Sequence, residues 1–186
     1  MVSMFTLWLP ILLSAIAVFA ASSIIHMFLG YHANDYEGLP DEAAAADALR
    51  PLAIPPGDYA IPHSGSMKEM QSEEYKQRME RGPVAFMTVL PSGEIRMGKM
   101  LGMWFVYCLV VIGFAAYVAG RALGPGAEYL DVFRFVGTVA FIGFALALWQ
   151  DSIWYWRQWS TTLKNTFDGA VYALITAGIF GTFWPG

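Results

Sequence analysis

The sequence contains a single cysteine, Cys108, which lies inside an apolar run. One cysteine cannot form a disulfide within the chain, and it cannot supply a Cys-x-x-Cys metal or redox site. Cys108 is therefore interpreted as a small apolar residue of the interior.

Charged residues are also scarce: they make up 14% of the chain, and the stretch Met1–Gly30 has none. An ordinary soluble domain contains roughly 25%. Most of the charge lies between Asp35 and Lys99, so apolar stretches flank one polar insertion. The net charge of -4 offers no basic surface for a nucleic-acid backbone, and we expect no nucleic-acid partner.

Four apolar stretches approach the roughly 20 residues that a helix needs to cross the hydrocarbon core of a bilayer. The predicted organisation is helix 1 at 5–29, a polar insertion at 30–99, helix 2 at 100–123, helix 3 at 129–150, an interfacial aromatic segment at 151–166 and helix 4 at 167–185. The predicted fold class is an all-α membrane protein with four transmembrane helices and a small α+β extramembrane insertion between helices 1 and 2. The lipid bilayer is its expected partner.

The insertion carries its own folding signals. LPDEAAAADALR predicts a short helix, and Ser66 followed by Glu69 predicts a capping box ahead of a second helix, MKEMQSEEYKQRMER. VAFMTVL, the turn PSGE and IRMGK predict a hairpin, to which DYAIP can add a third strand.

Lysine and arginine residues near helix ends predict the orientation, because they concentrate on the cytoplasmic side. The side of the insertion carries Arg81, Arg96, Lys99, Arg157 and Lys164, and the other side carries Arg121 and Arg134. We expect a cytoplasmic insertion with both termini outside.

Five aromatic residues cluster between predicted helices 3 and 4: Trp149, Trp154, Tyr155, Trp156 and Trp159. Tryptophan and tyrosine favour the headgroup level, so the cluster is typical of an interfacial belt. The alternative interpretation is a stacking platform for a quinone.

Signatures of chemistry are few. No GxSxG, HExxH, P-loop or dinucleotide motif occurs. No ionisable residue is expected in the middle of a span, since Asp151 and Asp168 fall at predicted helix ends and are interpreted as interface anchors. This pattern argues against an ion or proton transporter.

The three histidines offer the one candidate metal site. His26 near the end of helix 1, His32 with Asp35, and His63 are all expected on the same side of the membrane. Imidazole and carboxylate groups can bind zinc, iron or copper, so His26, His32, Asp35 and His63 are candidate ligands for a transition metal. The alternative is that these histidines are ordinary hydrogen-bonded or exposed residues. The cofactor is otherwise unknown.

Small residues recur every four positions along helix 4, at Gly169, Ala173, Ala177 and Gly181. Such a stripe lets another helix backbone approach closely. It indicates either packing within this chain's own bundle, the favoured interpretation, or contact with another membrane protein or a second copy of the chain.

The stretches YHANDYEGLPDE, GPVAFMTVLPSGEIRMGKM, WFVYCLVV followed by FAAYVAGRAL, and ALWQDSIWYWRQWSTTLKNTFDGAVYALITAGIFGTFWP resemble an uncharacterised family of small bacterial membrane proteins. The resemblance covers most of the chain. It implies four spans with a polar insertion after the first. We expect the protein to lie in the bacterial inner membrane. The family has no assigned activity, so the resemblance implies no catalytic or binding residues.

Three functional hypotheses follow from the sequence. The leading one is a structural, accessory or assembly component of a membrane complex, without enzymatic activity. The second is a metal-binding or lipid- or quinone-handling membrane enzyme with its site at the interface. The third is a transporter of a small solute, which requires a polar cavity.

Overall fold

The chain is mostly helical, as predicted, with one small sheet. A computed structural model describes residues 1–186 and divides into two units. The bundle unit comprises Met1–Tyr36 and Arg96–Gly186, and the small unit comprises Glu37–Ile95. In chain order, the elements are α1 (Trp8–Phe28), α2 (Glu42–Leu49), β1 (Gly57–Ile61), α3 (Met67–Met70), α4 (Glu73–Arg81), β2 (Ala85–Val89), α5 (Met97–Ala122), α6 (Tyr129–Phe144), α7 (Trp149–Trp154) and α8 (Trp159–Thr182).

Three helical segments are long and apolar enough to cross a membrane: Met4–Phe28, Met97–Ala122 and Tyr129–Trp154. They correspond to predicted helices 1, 2 and 3. Large apolar side chains such as Ile16, Phe114 and Ile142 remain exposed on the bundle surface. Exposure of so much apolar area to water is unfavourable, whereas lipid chains accommodate it, so these segments indicate a membrane protein.

The core of the bundle unit forms where α1, α5, α6 and α8 meet. Val18, Ile112, Val136 and Phe180, one from each helix, are all 0% exposed. The most extensive helix contact joins α6 to α8, and α8 also packs against α1. This places α8 next to the end of α1.

Helix α8 starts at Trp159 rather than near residue 167 and is 24 residues long. The predicted helix begins after the polar residues of 160–166. The structure continues the helix through them, because Thr161 and Thr162 are buried and Thr166 donates its hydroxyl to the Thr162 carbonyl at 2.7 Å. Asp168 therefore lies inside α8, and its predicted position at a helix end is wrong.

The small residues of α8 lie close to α6 and to the segment that follows it. A Cβ atom added at Gly169 would lie 2.8 Å from the Cβ of Ala145, and one added at Gly137 would lie 3.2 Å from the Cβ of Ala177. Ala173 is buried, and an added Cβ at Gly181 would meet the ring of Tyr129. The stripe thus packs within the chain's own bundle.

In the small unit, β1 and β2 form an antiparallel pair in which Gly57 faces Val89 and Ile61 faces Ala85. DYAIP and VAFMTVL therefore contribute strands, as predicted. The predicted hairpin with IRMGK is wrong, because Met97, Gly98 and Lys99 begin α5 instead. The apolar run that follows continues this helix. The strand that pairs with β2 is therefore β1 and not IRMGK.

Side-chain caps explain where the short helices begin. Asp41 accepts a hydrogen bond from the Ala44 backbone at 2.9 Å and starts α2. Ser66 caps α3, and Ser72 caps α4 by accepting from the Tyr75 backbone at 3.1 Å. The second cap divides the predicted single helix into two. Glu69 completes no capping box with Ser66, since its carboxylate accepts from the Gly65 backbone instead.

Candidate functional site

A turn after α1 returns the chain toward α8. The helix ends at Phe28, and Gly30 has a φ of +66°, a conformation that glycine adopts without strain. The backbone of Ala33 then donates to Gly30 and that of Asp35 donates to His32, both at 3.1 Å. These turns present three polar side chains to the first half of α8.

Five side chains form what we call the polar clasp: Tyr31, His32 and Asp35 from the turn, and Lys164 and Asp168 from α8. The Nδ1 atom of His32 lies 2.6 Å from Asp35 Oδ2, and its Nε2 atom lies 2.8 Å from Asp168 Oδ2. Lys164 donates to Asp35 Oδ1 at 2.8 Å, and the Tyr31 hydroxyl donates to Asp168 Oδ1. Lys164 and Asp168 are four residues apart and share one face of α8.

The clasp is a closed set of polar groups: two carboxyl groups, one imidazole, one ammonium group and one phenol. The side chains of His32, Asp35 and Asp168 are 12%, 10% and 3% exposed, so little water reaches them. Their hydrogen bonds to one another take the place of hydrogen bonds to water.

The environment changes the acidity of two clasp residues in the turn. Burial disfavours ionisation of Asp35, but hydrogen bonds from Lys164 and His32 outweigh it and lower the pKa of this carboxyl. Burial, reinforced by the hydrogen bond to Asp168, raises the pKa of the Tyr31 hydroxyl. Asp35 is therefore held as a carboxylate and Tyr31 as a neutral donor.

His26 lies against the clasp without belonging to its hydrogen-bond chain. Its ring stacks on His32, with centroids 4.6 Å apart and planes inclined by 5°. Its Nδ1 atom donates to the Ser22 carbonyl at 3.0 Å, which leaves Nε2 as the nitrogen with a free lone pair. One potential ligand atom each from His26, His32 and Asp168 lies within 4.8 Å of the others.

The structure brings together three of the four predicted metal-site residues. His26, His32 and Asp35 are neighbours in the bundle unit, whereas His63 belongs to the small unit, between β1 and α3. The sequence interpretation missed Asp168, Lys164 and Tyr31. The sequence did contain a usable signal. Lys164 and Asp168 carry opposite charges four residues apart near the start of an apolar helix, and Asp168 directly precedes Gly169, the first small residue of the stripe.

A layer of aromatic side chains adjoins the clasp. Trp104 donates to Ser22 Oγ at 2.9 Å, and its ring lies 6.0 Å from that of Tyr172 and 6.3 Å from that of Phe144. Tyr172 follows Asp168 by one helical turn and is buried, yet its hydroxyl has no hydrogen-bond partner. A buried hydroxyl without a hydrogen-bond partner is uncommon in folded proteins. Hydrogen bonding is therefore incomplete in this region.

The tryptophan cluster lies around α7 and the start of α8. Trp154 and Trp156 are 69% and 86% exposed, while Trp149 donates to Thr166 at 3.0 Å and packs edge-on against Trp159. Exposed indoles beside an apolar helix end are what an interfacial belt requires.

Comparisons of the chain with protein-family models, curated proteins and solved structures give no match. The site is therefore interpreted from its own geometry.

Proposed function

We propose that this chain is a four-span protein of the bacterial inner membrane that serves as a structural or accessory component of a membrane complex. The observation that carries the proposal is the polar clasp. Its ionisable side chains bind one another and join the end of α1 to α8. Groups engaged in this way hold the architecture together.

The fourth span is α8. Its 24 residues extend about 36 Å at 1.5 Å per residue, which exceeds the hydrocarbon thickness of about 30 Å. Lys164 and Asp168 would be unfavourable at membrane depth as isolated charges. Their ion pairs with Asp35 and His32 remove that objection, and both lie in the first half of the helix, toward its interfacial end.

The number of spans is tested by the sidedness of the two termini. Four spans place the N- and C-termini on the same side of the membrane, whereas three place them on opposite sides. Single cysteines at Ser3 and Gly186, each in a Cys108→Ala background, would be labelled with a membrane-impermeant maleimide on intact and on permeabilised spheroplasts. We expect equal labelling of both sites before permeabilisation. Labelling of only one site before permeabilisation would rule out four spans.

The accessory role is tested separately, by the mass of the assembly. The tagged full-length chain would be extracted without denaturation into lipid nanodiscs from its native membrane and weighed by native mass spectrometry. We expect a mass that includes a second protein or a second copy of the chain in stoichiometric amount. A monomer alone would contradict the accessory role and leave the span count untouched.

A further inference from the structure

We infer that His26, His32 and Asp168 form a binding site for one divalent transition-metal ion of the zinc type, at the junction of α1 and α8. This goes beyond the proposed function and does not depend on the number of spans. Of the four ligands predicted from the sequence, the site keeps His26 and His32, and Asp168 joins them in place of Asp35 and His63.

The donor set suits such an ion. Two imidazole nitrogens and one carboxylate oxygen are ligands that zinc and related ions accept, and three protein ligands leave a fourth position for water. Hard ions such as Mg²⁺ instead prefer oxygen ligands in an octahedral arrangement. The site should therefore discriminate between Zn²⁺ and Mg²⁺.

Each ligand is oriented by a group behind it. The Nδ1 atom of His26 is held by the Ser22 carbonyl, and that of His32 by the Asp35 carboxylate, so Nε2 is the nitrogen that each ring has left for an ion. The Tyr31 hydroxyl holds the second oxygen of Asp168. Metal-binding histidines characteristically donate their other ring N–H to a carbonyl or carboxylate in this way. Because the two rings are stacked with nearly parallel planes, the His26 ring must turn out of the stack for its Nε2 to face an ion shared with His32.

The spacing of the three ligand atoms is close to what a bound ion needs. In a tetrahedral zinc site with bonds of about 2.0–2.1 Å, ligand atoms lie about 3.3 Å apart. His32 Nε2 and Asp168 Oδ2 lie 2.8 Å apart, and all three ligand atoms lie within 4.8 Å of one another. Because 2.8 Å is a hydrogen-bond distance, His32 Nε2 and Asp168 Oδ2 must move apart slightly when an ion binds between them.

An ion between His32 Nε2 and Asp168 Oδ2 replaces the hydrogen bond that joins these two atoms, and the proton of that bond leaves to solvent. The Nδ1 atom of His32 stays against Asp35. Lys164 keeps Asp35 ionised, so Lys164 and Asp35 act as positioning residues.

The test uses the full-length protein in nanodiscs, stripped with a chelator. Zn²⁺ would be titrated against a chromophoric competitor, and Co²⁺ would be added as a spectroscopic probe. We expect one Zn²⁺ per chain, visible Co²⁺ bands of a four-coordinate site, and no displacement by millimolar Mg²⁺. His26→Ala should weaken Zn²⁺ binding at least about 100-fold, because it removes a ligand. Asp35→Asn should weaken it about 10–100-fold and retain the Co²⁺ bands.

His63→Ala is the matched control, since it removes a histidine from the small unit and should leave Zn²⁺ affinity unchanged. His26→Ala removes no hydrogen bond of the clasp, so its unfolding temperature in chelator should fall only slightly, through loss of the stacking contact with His32. Either of two results would overturn the inference: no stoichiometric Zn²⁺ in the parent protein, or equal Zn²⁺ affinity in the parent and in His26→Ala.

Discussion

At the scale of residues, the decisive feature is that His32 faces a carboxylate through each ring nitrogen. Asp35 and Asp168 are too little exposed to be solvated by water alone, so each depends on its contact with His32 and on one further donor. Removing one member therefore leaves a buried polar group with one partner fewer.

Asp168→Ala should destabilise the metal-free bundle by about 3–5 kcal/mol, because the change leaves the His32 ring and the Tyr31 hydroxyl without their partner on α8. The measurement is reversible chemical unfolding in detergent, followed through the tryptophan fluorescence, with chelator present.

The matched control is Asp131→Ala, which removes an exposed carboxylate paired with Arg134 at 3.6 Å. Exposed pairs of this kind contribute about 0–1 kcal/mol. Equal losses of stability in the two variants would show that the clasp holds no buried ion pair.

At the scale of elements, α6 and α8 approach closely because small residues face each other. Gly137 and Ala177 lie opposite each other, and Gly169 leaves room for Ala145, which follows α6. A larger side chain at these positions must push its neighbour on the facing segment aside, since interiors are packed without spare volume.

Ala177→Leu should destabilise the bundle by about 1–3 kcal/mol or more, the usual cost of extra volume in a packed interior. The comparison is Ala20→Leu, which adds the same atoms to an exposed position of α1 and should have little effect. Both would be measured as shifts in the denaturation midpoint. If Ala177→Leu left the midpoint unchanged, the packing of the α8 stripe against α6 would be refuted.

At the scale of the whole molecule, the two units differ in burial. The bundle unit contains every buried residue, including Asp168 and Phe180, while no residue of Glu37–Ile95 is buried. A two-stranded sheet with little buried apolar area has low stability of its own. Opening of the small unit should therefore precede opening of the bundle.

Hydrogen exchange in nanodiscs should reveal that order. We expect peptides from β1 and β2 to exchange within minutes and peptides from the second half of α8 to remain protected for hours, because few buried contacts oppose local opening of the sheet. Peptides from α2, whose residues are also largely exposed, are the internal comparison. Protection in β1 equal to that in α8 would contradict the difference in stability.

Local signals were sufficient for much of the fold. Long apolar runs predict α1 and α5, and the cap residues Asp41 and Ser66 mark helix starts in the structure. Local signals failed where a segment could form either a strand or a helix. IRMGK begins with an apolar residue and follows a turn, as a second hairpin strand would. Its last residues nevertheless belong to α5, because the apolar run that follows extends the helix back to Met97.

The sequence by itself determined that apolar helices dominate this protein, that charge avoids most of their length, and that His26, His32 and Asp35 lie close along the chain. Only the tertiary structure brought Lys164 and Asp168 to them, across sequence separations of 129 and 136 residues. The reason is physical. An ionisable residue inside an apolar helix requires a partner, and which segment supplies that partner depends on how α8 packs between α6 and α1.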